Sequence, residues 1–148
     1  MHRYKIVIQY DGSFFKGWQL QKNQKTVQGD IENALMTIAM SKSRIIVQGS
    51  GRTDAGVHAI GQVAHFDLDN HLTEKQLKNA LNFYTDENCK IMSLCKIHDR
   101  FDSRFDAKSR TYKYQIYCGK SILYRNQAWL KSDSIDIKIL NQLAGYII

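Results

Sequence analysis

Apolar residues alternate from the first turn of the chain. Tyr4, Ile6, Ile8 and Tyr10 fall on one face of an extended segment, with Lys5, Val7 and Gln9 on the other, the period-2 signature of a half-buried strand. From Val27 the period lengthens: Val27, Ile31, Ala34, Leu35 and Ile38 make the apolar stripe of a helix. Arg44 to Gln48 is β-branched and reads as a strand. A glycine-rich loop, Gly49 to Gly61, follows it, and Gln62 to Leu68 resumes strand character. Thr73 and Gln76 have the spacing of a capping box, opening a helix whose inner face is Leu77, Ala80 and Leu81, and Lys90 to Ile97 is a strand of mixed faces.

The resulting order, β-α-β-β-α-β, is the ferredoxin-like arrangement, an α+β fold with helices packed on one face of an antiparallel sheet. We assign residues 1–100 to this domain. A charged stretch without periodicity, His98 to Lys108, comes next. A strand then carries Tyr112, Tyr114 and Ile116 on one face, and a last helix, Ile135 to Ile147, shows Leu140, Leu143, Ala144 and Ile147 at helical spacing. Residues 101–148 thus read as a basic linker and the start of a second, similar unit. This unit closes on an apolar helix with no capping glycine and no following strand, as expected of a chain cut short.

Composition narrows the class. Hydrophobic residues make up 43% of the chain and aromatics 11%, enough for a real core and unlike a disordered protein. No apolar run approaches the ~20 residues of a membrane span, and the opening strand leaves no room for a signal peptide, so a cytoplasmic protein is the expectation. The three cysteines, Cys89, Cys95 and Cys118, lack CxxC spacing and are odd in number; they are expected as reduced thiols. There is no proline, so turns rely on Gly, Asn, Asp and Ser. Lys and Arg outnumber Asp and Glu by 21 to 14, a formal charge of +7 that favours a polyanionic partner.

The candidate chemistry lies in Gly49-Ser50-Gly51-Arg52-Thr53-Asp54-Ala55-Gly56-Val57-His58. The segment joins two strands, so its polar residues sit at a sheet end. Read by itself it is equally a long glycine-rich hairpin carrying a solvated Arg–Asp pair. It lacks the GxxxxGK[ST] spacing of a phosphate-binding P-loop and the GxSxG of a nucleophile elbow. The gaps between His58, His65 and His71 follow no standard metal-ligand pattern, so no metal is expected.

Gly51 to Ala59 resembles the catalytic motif of the tRNA pseudouridine synthase A family. Three further segments are similar to that family in the same order: Tyr10-Asp11-Gly12 with Gly17-Trp18-Gln19 and Gln21; Thr26-Val27-Gln28 with Glu32-Asn33-Ala34-Leu35; and the basic run Arg104 to Tyr114. The chain departs from the family pattern at Tyr84-Thr85, where a Leu-Pro pair is usual, and at Phe101-Asp102-Ser103-Arg104, where Phe-His-Ala-Arg is frequent. The second half of a family member is missing, so this chain alone is expected to be inactive or nearly so.

The resemblance implies isomerisation of uridine to pseudouridine in the anticodon stem-loop of tRNA, a homodimeric working form and no cofactor. It assigns nucleophilic attack to Asp54 and an active-site place to Tyr112, whose ring can stack on a flipped uracil and whose hydroxyl can move a proton. Arg52, two residues before Asp54, can project to the same side, favour the ionised carboxylate and replace the expelled base in the stack; Thr53 would then face away and hold the loop. Arg100, Arg104, Lys108, Arg110 and Lys113 concentrate charge suited to phosphates. Asp11, before a glycine, is a turn residue. The rival readings are a non-catalytic RNA-binding module with exposed sheet aromatics, as in RRM domains, which would not need Arg52 and Asp54, and a structural assembly subunit with an uncharged apolar face.

Overall fold

The computed structural model describes residues 1–146. By contact density the chain divides into two units, Met1–Arg110 and Thr111–Ile148.

The first unit contains β1 (His2–Tyr10), a 3₁₀ turn (Gly12–Phe14), α1 (Val27–Ile38), β2 (Gln48–Gly49), β3 (Ala59–Leu68), α2 (Glu74–Tyr84) and β4 (Cys89–Ile97). Its sheet has the order β2-β3-β1-β4 with every pairing antiparallel, the ferredoxin-like topology expected. β1 is central, and Tyr4, Ile6 and Ile8 are fully buried. The two helices add Val27, Ile31, Leu35, Leu77 and Leu81 to the same core. Thr26 caps α1, and Thr73 with Gln76 forms the complete capping box on α2.

The mixed faces of β4 have a simple cause. The pairing with β1 slips between Val7 and Ile8, where partners pass from Ser93 to Ile91. Met92 is the extra residue of this bulge, so Ile91 and Leu94 both reach the core although three positions apart. A second irregularity, between Ile8 and Tyr10 on the β3 side, lets β3 begin at Ala59 rather than at Gln62.

Three expectations are corrected. Arg44 to Gln48 is not a strand; only Gln48–Gly49 pairs. Its backbone groups are claimed by α1 side chains: Val47 N–H donates to Glu32 Oε1 at 3.0 Å, and Gln28 Nε2 donates to the Val47 carbonyl at 3.0 Å. Tyr112 to Gln115 is likewise not a strand. In the second unit only Ile116–Cys118 (β5) finds a partner, the parallel Trp129–Lys131 (β6). The final helix, α3, spans Ile137–Ala144 and starts later than Ile135 because Asp136 caps it; Gly145 ends it in a right-handed conformation. Ile147 lies outside the described residues.

Residues 98–106 fold back over the face of the sheet opposite the helices. Arg3 grips Asp67 through two hydrogen bonds (2.8 and 2.6 Å) and donates a third to the Phe101 carbonyl. The Lys5 ammonium stands over the Phe101 ring. Ser103 N–H donates to His65 Nδ1 at 3.1 Å, and Ser103 Oγ donates to the Gln48 carbonyl at 2.7 Å. His65 is therefore buried, and burial together with the nearby Arg3 charge lowers its pKa.

Among the described residues no helix is long and apolar enough to cross a membrane. Cys89 is buried in the core, where desolvation pushes its thiol up to about 12, whereas Cys118 is exposed.

Candidate active site

The loop from β2 to β3 is fixed at both ends. Near its start Ser50 N–H donates to the Val63 carbonyl (2.7 Å), Ser50 Oγ donates to Gln62 Oε1 (2.9 Å), and Gln62 Nε2 donates to the Gly51 carbonyl (2.6 Å). At its tip Val57 N–H closes a turn on the Asp54 carbonyl at 3.2 Å. Gly56 has φ +82° there, the third-residue conformation of a type II turn, for which glycine is the usual choice.

The middle of the loop rests on the segment that follows β1. Tyr10 and Thr53 share a hydroxyl–hydroxyl hydrogen bond of 2.8 Å, and Trp18 N–H donates to the Thr53 carbonyl at 2.9 Å. Thr53 is thus the inward anchor between Arg52 and Asp54, as the alternation of an extended loop requires. Contacts are close enough to exclude side chains. A methyl on Gly12 would lie 2.0 Å from the Val57 carbonyl oxygen, one on Gly17 2.7 Å from that of Thr53, and one on Gly49 2.6 Å from the Trp18 indole. Two motifs far apart in sequence form one packed object.

Asp11 completes the frame. Its Oδ1 accepts from Ser13 N–H (3.0 Å), Ser13 Oγ (2.7 Å) and His58 Nδ1 (3.0 Å). Partial burial pushes this carboxyl up, but the Ser13 hydrogen bonds and the His58 ring outweigh it and leave the pKa below its ordinary value. The turn role expected of Asp11 is confirmed, and a latch on the far end of the loop is added to it.

Held in this way, Arg52 and Asp54 line one open cavity of ≈ 400 Å³. Thr53 and Ala55 also line it, and the segment after β1 contributes Lys16, Gln19, Gln21 and Gln24. Both Arg52 and Asp54 are exposed. Among the described residues no ion pair joins them, so the carboxylate faces the cavity uncommitted. Such an arrangement can hold a polar, hydroxyl-rich group against an oxygen nucleophile.

The remaining candidate residues divide. Arg100, Arg104 and Lys108 are exposed on the first unit, with the Arg104 guanidinium against the Phe105 ring. Arg110 braces the backbone. Its guanidinium donates to the carbonyls of Ser50 (2.8 Å) and Arg104 (2.7 Å), tying the linker to the start of the loop. Tyr112 and Lys113 belong to the second unit, where Tyr112 is 63% exposed. Gln19 and Gln21 stood in the sequence only as part of a segment resembling the family, with no role at the site, and Lys16 and Gln24 were not picked out at all; the Gly17-Trp18-Gln19 run was the available signal. Among the described residues no cluster of His, Cys, Asp or Glu has the form of a metal site.

A ferredoxin-like domain whose loop presents a framed carboxylate to an open polar cavity is the class that fold and site define. The family model described as tRNA pseudouridine synthase matches residues 6–106, and the chain belongs to that family. It is 43% identical over 150 residues to tRNA pseudouridine synthase A of Ehrlichia chaffeensis, covering 98% of this chain and 60% of the relative. It is 46% identical over 118 residues to tRNA pseudouridine synthase A 2 of Bacillus cereus, covering 79% of this chain and 47% of the relative. With tRNA pseudouridine synthase A of Sinorhizobium fredii the identity is 37% over 153 residues, covering 100% of this chain and 61% of the relative. The chain thus spans about half to three-fifths of the length of these relatives.

Proposed function

We propose that the chain carries the nucleophile-bearing part of a tRNA pseudouridine synthase, which isomerises uridine in the anticodon stem-loop of tRNA. The observation that carries this reading is the Asp54 carboxylate, uncommitted and facing a cavity shared with Arg52, on a loop pinned at Ser50, Thr53 and His58. The reaction breaks the bond between ribose C1′ and uracil N1, turns the base and rejoins it through C5, with loss of the C5 proton. Asp54 acts on the nucleotide by one of three routes: attack at C1′, which divides the exchange into two substitutions, addition at C6 of the base, or removal of a ribose proton to give a glycal. Arg52, which lines the same cavity, fills the gap in the stack left by the extruded base. Tyr112 stacks on that base and handles the C5 proton. Arg100, Arg104, Lys108, Arg110 and Lys113 supply charge toward the phosphates. A homodimer acting in the cytoplasm without a cofactor is part of the proposal.

A silent RNA-binding module has less support. The open face of β1 offers Arg3, Lys5, Val7 and Gln9, with no aromatic platform, and residues 98–106 cover part of it.

The test is Asp54→Asn in the protein that contains this chain. Tritium release from tRNA carrying 5-tritiated uridine is expected to vanish while tRNA binding persists. Turnover close to that of the unaltered protein would remove Asp54 from the nucleophile's role.

A further inference from the structure

The segment that shares the cavity with Asp54 carries long polar side chains and is held largely by bonds that do not use them. Lys16 N–H donates to the Lys25 carbonyl (2.8 Å), Leu20 N–H to Gln28 Oε1 (2.8 Å), and Val27 and Gln28 N–H to the carbonyls of Gly17 and Trp18 (3.2 and 3.0 Å). Gln21 also braces the loop, its Nε2 donating to the Lys16 carbonyl at 2.8 Å. The loop holds two lysines in contrasting states. Lys25 is ion-paired with Asp86 and lies over the Phe15 ring. Among the described residues Lys16 has no carboxylate partner, and the side-chain amides of Gln19 and Gln24 make no hydrogen bond.

The cavity is thus lined by the Lys16 ammonium and two free amides together with Arg52 and Asp54, and has no aromatic residue in its lining. Such a lining suits a sugar–phosphate better than a base, whose faces call for stacking. We infer that Lys16, with Gln19 and Gln24, forms the seat for the ribose and adjoining backbone phosphate of the target nucleotide. Lys16 binds the phosphate, and the amides hydrogen-bond the 2′-hydroxyl. This inference rests on the proposed reaction at Asp54. A carboxylate that acts at C1′ approaches the ribose, and the nearest phosphate then lies one sugar ring away, within reach of other residues that line the same cavity. The preformed loop means that the seat is ready before the RNA arrives.

The experiment measures binding of tRNA to the 148-residue chain as a function of salt, so no turnover is needed. Lys16→Ala is expected to lower the slope of log affinity against log salt by about 0.7 to 0.9, and to weaken binding about fivefold near 0.1 M salt. Lys16→Arg should restore both. Lys75→Ala, on the exposed side of α2, is the control for general charge and should leave the slope unchanged. With Gln19→Ala and Gln24→Ala combined, the preference for an RNA hairpin over the same hairpin in DNA should shrink, because the 2′-hydroxyl loses its partners. If Lys16→Ala leaves the slope intact, or if Lys75→Ala lowers it equally, the seat is refuted while the reaction at Asp54 stands. If the unaltered chain shows no salt-dependent binding of tRNA, the functional reading fails together with the seat. Lys16 is exposed and unpartnered, so Lys16→Ala should unfold at the same temperature as the parent.

Discussion

Between Gly12 and an alanine there is one methyl group, and the space for it is already taken by the Val57 carbonyl. Gly12→Ala must therefore push apart the 3₁₀ turn and the end of the β2–β3 loop. Overpacking of this kind costs about 1–3 kcal/mol, and because it shifts the loop bearing Asp54 the loss of activity should exceed what that destabilisation explains. Urea unfolding and turnover measured on the same variant separate the two effects. Gly61→Ala is the matched control: a methyl there meets nothing within 4 Å, and stability should stay level or rise slightly. At this scale the sequence was partly readable. The glycines and Asp11 stood out as turn residues, but that Gly12 and Gly49 serve close approach to Val57 and Trp18 depends on contacts between segments far apart in the chain, which no local pattern reports.

Glu32 shows how a helix can organise what lies beyond it. The carboxylate is buried on α1 and accepts from Arg44 Nε (2.6 Å), Arg44 Nη2 (3.0 Å), Gln28 Nε2 (3.0 Å) and Val47 N–H (3.0 Å). Glu32→Ala would leave the buried Val47 N–H without its partner and Gln28 Nε2 with the Val47 carbonyl alone. The expected cost is about 2–4 kcal/mol, read as a lower urea midpoint, with freer hydrogen exchange at Val47 and Leu20 because Gln28 holds both segments. Arg44 is half exposed and can return to water in that variant, whereas Arg44→Ala would leave the buried Glu32 carboxylate without its cation and should cost at least as much. The same network explains which elements were legible. The stripes of α1 and α2 and the alternation of β1 belong to one element each, and their periods announced them. Arg44 to Gln48 has strand-like composition, yet its hydrogen bonds go to side chains of α1. Tyr112 to Gln115 alternates correctly, but only three residues beyond it find a neighbour to pair with.

For the first unit taken together, His65 sets a dependence on pH. The bond from Ser103 N–H requires an unprotonated Nδ1, and burial with the Arg3 charge keeps the folded-state pKa below the ordinary value. The unfolded chain takes up a proton as pH falls through about 6.5, whereas the folded one resists. Stability is therefore full above that value and declines as pH falls through it. The carboxylates of Asp67 and Asp86 have lowered pKa values, so their contribution is lost only in more acidic solution. Urea unfolding between about pH 7.5 and 5 should show the decline, and His65→Gln should flatten it. Detachment of residues 98–106 from the sheet is the structural counterpart. In the sequence, His65 looked like one of three spaced histidines, and the departure at Asp102-Ser103 looked like a gap in a family pattern. The fold joins the two observations, since Ser103 is the residue that His65 holds. Likewise Asp54 and Arg52 were legible through motif resemblance, as was the segment containing Gln19, while the place of Lys16, Gln19 and Gln24 in the cavity carries no periodicity and depends on the 16–25 loop folding against Thr53.

The central place of β1 has a consequence for how the protein is made. β1 leaves the ribosome before either of the strands that flank it, since β3 and β4 end at residues 68 and 97. Until that much chain has been synthesised, Tyr4, Ile6 and Ile8 have no completed sheet to enter, and contacts so distant in sequence form slowly. The nascent chain therefore passes through an interval in which an apolar strand with two open edges is exposed to neighbours. Demand for chaperones during synthesis, rather than the stability of the finished domain, is where changes to β4 should first be felt.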